Sequence, residues 1–148
     1  MSTAKAEMRD YWGNAHTTRS CLDSALQLNF ITELLATKLN LPVHDSIIVI
    51  SGITRISSTI YYCTTIKIVS LNFNYNSLFP CLILPRITDI SQMSFNKNLL
   101  NVLSRLCLTY PSFSISNPVE ILIGSTVFWD LIENDQIKLK DSSVRLKR

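Results

Sequence analysis

Between residues 47 and 84 the chain carries two patterns characteristic of strands, a continuous β-branched run and a strict alternation. Ile47-Ile48-Val49-Ile50 is a continuous β-branched run, and Leu71-Asn72-Phe73-Asn74-Tyr75 alternates strictly. Residues 78–84 are apolar throughout and contain one proline, Pro80. Segments of this kind suit a pleated surface covered on one or both faces. Ser51-Gly52 marks a turn, and residues 53–69 read as one or two further strands. Because proline cannot donate to a ladder, Pro80 argues for an edge strand or a bulge. The middle of the chain is therefore expected to be β-sheet.

The expected helices lie in the flanks. Gly13-Asn14 separates two strand-like stretches and reads as a hairpin turn. From Phe30 the period changes, with Ile31, Leu34, Leu35 and Leu39 on one helical face. Asn40-Leu41-Pro42 stops that helix, since proline disfavours helical geometry in the residue before it. Later, Glu120-Ile121-Leu122-Ile123-Gly124 reads as a buried strand ending in glycine. Ser125 is expected to cap a helix whose Val127, Phe128, Leu131 and Ile132 form an apolar stripe. Residues 98–108 also have helical spacing through Leu99, Val102, Leu103 and Leu106, and Ile137-Lys138-Leu139 reads as a last short strand. The expected helices are residues 32–39, 98–108 and 125–132. No repeat or linker interrupts the chain, so one domain is expected over residues 1–140, followed by a short basic tail, 141–148.

Composition agrees with a β-rich globular domain. Ile, Leu and Val occupy 44 of 148 positions, enough to bury a core without disulfide staples. Charged residues make up only 17% of the chain, while Ser, Thr and Asn fill 41 positions. That balance excludes a charged disordered tail and a coiled coil. The net charge of +3 comes from the end of the chain, since residues 138–148 hold five basic residues and one acid. The remaining body carries nine basic and ten acidic residues, a net of −1, and nucleic acid is not an expected partner. No run reaches the 18 or so apolar residues of a membrane helix, and residues 1–7 lack the apolar stretch of a signal peptide. An intracellular, cytoplasmic protein is the expectation. Cys21, Cys63, Cys81 and Cys107 form no Cys-x-x-Cys pair and have no histidine at ligand spacing, so buried free thiols are expected and no metal or cofactor.

One carboxylate stands out by its surroundings. Asp23 follows the apolar Cys21-Leu22, precedes Ser24 and the small Ala25, and leads toward a helix. Alone, it reads as a turn residue capping the next few residues of chain. A hundred residues later comes Ile121-Leu122-Ile123-Gly124, also leading into a helix, with Val49-Ile50-Ser51-Gly52-Ile53 between them. In this order the segments resemble the retropepsin-like aspartic peptidase domain of BEL/Pao-type retrotransposon polyproteins. Residues 21–32, Cys-Leu-Asp-Ser-Ala-Leu-Gln-Leu-Asn-Phe-Ile-Thr, look like that family's Leu-Leu-Asp-Ser-Gly-Ser-Gln-x-Asn-Phe-Ile-Thr motif. Ile50, Ser51, Gly52 and Ile53 look like its flap, residues 108–113 resemble its Leu-Ala-x-Pro-x-Phe stretch, and residues 119–131 are similar to its Ile-Asp-Leu-Leu-Ile-Gly signature.

The resemblance implies a mainly β chain: a small closed β-barrel of the acid-protease type, one lobe per chain, with two or three short helices. It implies an aspartic endopeptidase of the polyprotein-processing kind, with a peptide or polyprotein substrate. Two carboxylates sharing one proton can activate water and polarise a peptide carbonyl. Only one such motif exists here, so a working site implies a homodimer with Asp23 from each subunit on the two-fold axis. Ser24 would brace the dimer core. Gly52 and its neighbours would close over peptide. Ala25 stands where the family has glycine, Thr54-Arg55 replaces a small pair, and the family's further strand segment, often containing Gly-Trp, is not found after residue 140. Weak turnover or none is therefore expected, and the alternative is a peptide-binding or self-associating β domain without catalysis. His16 and His44 are expected on the surface, Trp12 and Trp129 in core or interface packing, and Glu33 and Asp130 as solvated helix charges.

Overall fold

The computed structural model describes residues 2–51, 57–70, 75–87, 118–131, 136–138 and 145–147. The chain is mainly β, as expected. Strands β1 (Ser2–Arg9) and β2 (Ala15–Leu22) form an antiparallel hairpin, with Ser2 opposite Leu22 and Arg9 opposite Ala15. The short β3 (Phe30–Thr32) runs directly into helix α1 (Glu33–Lys38). Strands β4 (His44–Ser51), β5 (Ser57–Val69) and β6 (Asn76–Leu84) follow as an antiparallel meander. Then come β7 (Ile121–Ile123) and α2 (Ser125–Leu131). The seven strands form one sheet in the order β1-β2-β7-β3-β6-β5-β4. β1 also pairs with β5 through Glu7↔Val69 and Met8↔Ile68. A separate two-stranded ribbon joins β8 (Gln136–Lys138) to β9 (Arg145–Lys147). Residues 98–108 lie outside the described residues, as do 71–74 of the alternating segment. Among the described residues, no helix is long and apolar enough to cross a membrane.

Local chemistry explains the breaks between elements. The β1–β2 turn is wider than a two-residue loop, because the Asp10 carboxylate organises it. Its Oδ1 accepts from the Trp12 and Asn14 backbone N–H groups, and its Oδ2 meets Asn14 Nδ2 and His16 Nε2. Gly13 takes the left-handed φ of 90° that this loop requires. Helix α1 begins where the Thr32 hydroxyl accepts the Leu35 N–H. It ends at Lys38, ahead of the Asn40-Leu41-Pro42 segment expected to stop it. Asn40 enters the left-handed region, and the Leu41 and Asn40 N–H groups bond back to the Ala36 and Thr37 carbonyls. The expected apolar stripe is corrected in one place. Leu35, Ala36 and Leu39 are buried, while Leu34 is 77% exposed. Ile31 belongs to β3, so the helix starts two residues later and its buried face is rotated away from Leu34.

Pro80 is neither on an edge strand nor in a bulge. β6 lies between β5 and β3, and its register with β5 runs unbroken through Thr65↔Pro80. Leu82 donates its N–H to the Asn29 carbonyl, so the ring nitrogen of Pro80, two residues earlier, faces the same side. There β3 has not yet begun, since its first residue, Phe30, stands opposite Leu82. The missing N–H falls where no strand needs it.

The sheet is apolar on both faces over its centre. Ile31, Leu35, Ile66, Ile68, Phe79, Cys81, Ile121, Ile123, Val127 and Phe128 belong to the main core. Phe30, Ile60 and Leu82 seed a second cluster, against which Leu26, Leu28, Ile48, Ile50 and Leu122 pack. Trp12 and Trp129, expected in core or interface packing, are not in the core, being 68% and 65% exposed. His44 is exposed as expected, and so are Glu33 and Asp130.

Candidate functional site

Asp23 begins the loop that carries the chain from the end of β2 to the start of β3. Its backbone N–H donates to the Ile123 carbonyl at 2.9 Å, so the carboxylate is planted beside the end of β7. β7 is inserted between β2 and β3, parallel to the first and antiparallel to the second. That insertion joins two sequence segments a hundred residues apart. Asp23 is half-buried, while Ser24 and Ala25 are exposed. The Asp23 Oδ1 accepts the Ala25 N–H at 3.0 Å, and the Leu26 N–H returns to the Asp23 carbonyl at 3.3 Å. These bonds make an Asx-type turn. They also fix the direction of the carboxyl group, as the turn-residue reading expects.

The loop rests on the β7–α2 junction. The Ser125 N–H donates to the Leu26 carbonyl at 2.6 Å, which places Ser125 in the first turn of α2 with its amide occupied by the Asp23 loop. The Gly124 carbonyl accepts the Val127 and Phe128 N–H groups, so the helix is opened by Gly124 rather than capped by Ser125. A Cβ on Gly124 would sit 2.5 Å from the Leu28 carbonyl oxygen and 2.6 Å from that of Leu26. Only glycine lets the loop lie this close. Behind it, the buried Asn29 accepts the Gly124 N–H at 2.9 Å on Oδ1. Its Nδ2 donates to the Pro80 carbonyl and to Thr126 Oγ1, each at 3.3 Å.

Of the residues expected to form a flap, two are described. Ile50 and Ser51 end β4, and Ser51 stands opposite Ser57 across the hairpin. Gly52 and Ile53 lie outside the described residues. Ile48 and Ile50 pack on the same apolar cluster as Leu26 and Leu28 of the Asp23 loop, which links the hairpin to the loop through shared hydrophobic neighbours. Ala25 does not adopt a positive φ; among the described non-glycine residues Asn40 alone does. The backbone therefore makes no demand for glycine at position 25.

Among the described residues, the cysteines make no bond to Asp23. Burial pushes the Cys21 and Cys81 thiols above their ordinary range, as expected of inert core cysteines. Cys63 is half-buried, and Cys107 lies outside the described residues. Among the described residues no group of three or more His, Cys, Asp or Glu side chains could hold a metal ion. Sequence reasoning misses Asn29 and the Asp10 turn. The available signal for Asn29 is a lone amide directly before the buried Phe30-Ile31 pair, in a place where burial demands partners. Comparison with known proteins finds no matching family model, no matching curated protein and no matching solved structure.

Proposed function

We propose that this chain is one half of a homodimeric aspartic endopeptidase of the retropepsin type, acting on peptide segments of a retroelement polyprotein. The observation that carries the reading is the clasp between the Asp23 loop and the Ile123-Gly124-Ser125 turn, which holds one oriented carboxyl group at a strand end. The strand pairings that return from β5 to β1 support a closed barrel as the lobe of such an enzyme. Two such lobes related by a two-fold axis would bring Asp23 against its symmetry mate. One carboxylate would then take a proton from water while the protonated partner donates to the scissile carbonyl, the proton being shared because both groups cannot ionise at contact. Their titrations belong to the pair. The β4–β5 hairpin would cover the bound peptide and exclude water. Cleavage of a peptide library across pH, with Asp23→Asn as the control, tests the reading. Turnover by the wild type and none by the variant is the expected result.

A second reading is a non-catalytic module that captures peptide or self-associates. Strand β4 favours it: among the described residues it pairs with β5 alone, and it exposes Ile47 at 81% and Val49 at 63%. Peptide capture that persists in Asp23→Asn, without turnover in either form, would establish that reading.

A further inference from the structure

Strand β3 begins too late to cover Pro80, yet the Pro80 carbonyl is not left unpaired. It faces the side on which Leu82 meets the backbone of Asn29, and the Asn29 side chain reaches back to take the role of the absent strand residue. The same amide bonds Gly124 N–H with its oxygen and Thr126 Oγ1 with its nitrogen. One buried side chain thus joins β6, the Asp23 loop and the β7–α2 junction. Gly124 directly follows Ile123, whose carbonyl holds the Asp23 N–H.

We infer that Asn29 is a positioning residue for Asp23. It fixes the Gly124 turn from behind, and that turn fixes the carboxylate from the front. The role rests on the proposed reading of Asp23 as the reactive carboxylate, but the bracket itself can be tested without turnover. An amide is the one neutral side chain of this size with an acceptor for Gly124 and two donors for Pro80 and Thr126. A carboxylate of the same shape keeps the acceptor and loses both donors. The groups that meet the Asn29 amide are a backbone N–H, a carbonyl and a hydroxyl, none of which titrates between pH 4 and 8. An aspartate placed there is disfavoured when ionised, because it is buried and would face the Pro80 carbonyl oxygen. Protonated, it regains one donor. Its folded pKa is raised above the unfolded value, so its destabilisation grows as pH rises above about 4.

The test is the full chain carrying Asn29→Asp, followed by thermal melting and by the carboxyl carbon and amide NMR signals of Asp23 between about pH 4 and pH 8. The expected result is a variant that melts below the wild type near pH 7, with the Asp23 and Ala25 signals displaced, both differences shrinking toward pH 4. Thr126→Val removes a single arm at an exposed residue and keeps the fold. It should displace the same signals by a smaller amount. A melting loss with Asp23 signals at their wild-type positions in both variants would make Asn29 a packing residue only and overturn the inference. Unchanged melting and unchanged signals would overturn the bracket altogether. A wild type that cleaves no peptide would count against the proposed function and would leave these readouts intact.

Discussion

Gly124, Asp10 and Ala25 show how differently a small set of atoms can constrain a fold. At Gly124 the constraint is space: two backbone carbonyls of the Asp23 loop occupy the volume of a Cβ. Backbone cannot swing aside as a flexible side chain can, so Gly124→Ala should destabilise the protein by about 3 kcal/mol, at the upper end of ordinary overpacking. Chemical denaturation would read this directly, and a loss below about 1 kcal/mol would mean that the loop retreats freely. At Asp10 the constraint is charge. Burial opposes ionisation, but hydrogen bonds from the Asn14 side chain, His16, and the Asn14 and Trp12 backbone outweigh it and bring the carboxyl from 3.8 to about 2. A depressed folded pKa contributes stability that is present above the unfolded value and lost as pH falls through the folded one. The turn should therefore hold until pH drops from about 4 toward 2. The Trp12 amide signal should follow that titration with a midpoint near 2, whereas a midpoint at the ordinary aspartate value would contradict the clamp. At Ala25 the backbone is indifferent, as its φ is ordinary. Ala25→Gly should lower stability by about 0.4–1 kcal/mol through unfolded-chain entropy. In a protein verified as dimeric, it should raise peptide turnover if the methyl obstructs substrate. Unchanged turnover would remove the steric explanation.

Elements are legible in the sequence wherever periodicity alone decides them. The hairpin strands, β4 to β6 and β7 stand where the apolar residues alternate or run on continuously, and both described helices where the spacing is three and four. What spacing cannot supply is pairing. The insertion of β7 between β2 and β3, which builds the site, depends on contacts a hundred residues apart and leaves no local trace. Leu34 shows the same limit on a smaller scale, because a helix of six residues starting at Glu33 has too few turns to fix its buried face by pattern. Pro80 announces a missing donor but not an edge, because the ladder on its open side is completed by a side chain. This predicts an asymmetry along β6. Pro80→Ala should change stability by no more than about 1 kcal/mol, the entropic effect of releasing a proline. Leu82→Pro should cost about 3 kcal/mol or more, because it removes the N–H bonded to Asn29 and clashes within the ladder. Equal losses at the two positions, measured by thermal or chemical unfolding, would show that the open side of Pro80 is not open.

At the scale of the whole molecule, the Asp23 carboxylate is oriented by its own loop and supported from beneath by a strand, a glycine turn and a buried amide. The bonds that hold Asp23 in place are made within one chain, and under the proposed reading the second carboxylate comes from a second copy. Hydrolysis by a dyad must therefore depend on association, with a rate per chain that rises with concentration and levels off once dimers saturate. The most direct measurement is the rate of cleavage of one susceptible peptide per mole of chain, taken over a wide range of protein concentration. Mixtures with Asp23→Asn should be included. The account predicts an upward-curving dependence at low concentration and inhibition by the Asn variant, which would capture wild-type chains into dimers with one carboxylate. A rate per chain that is constant at all concentrations and indifferent to added Asp23→Asn would contradict it.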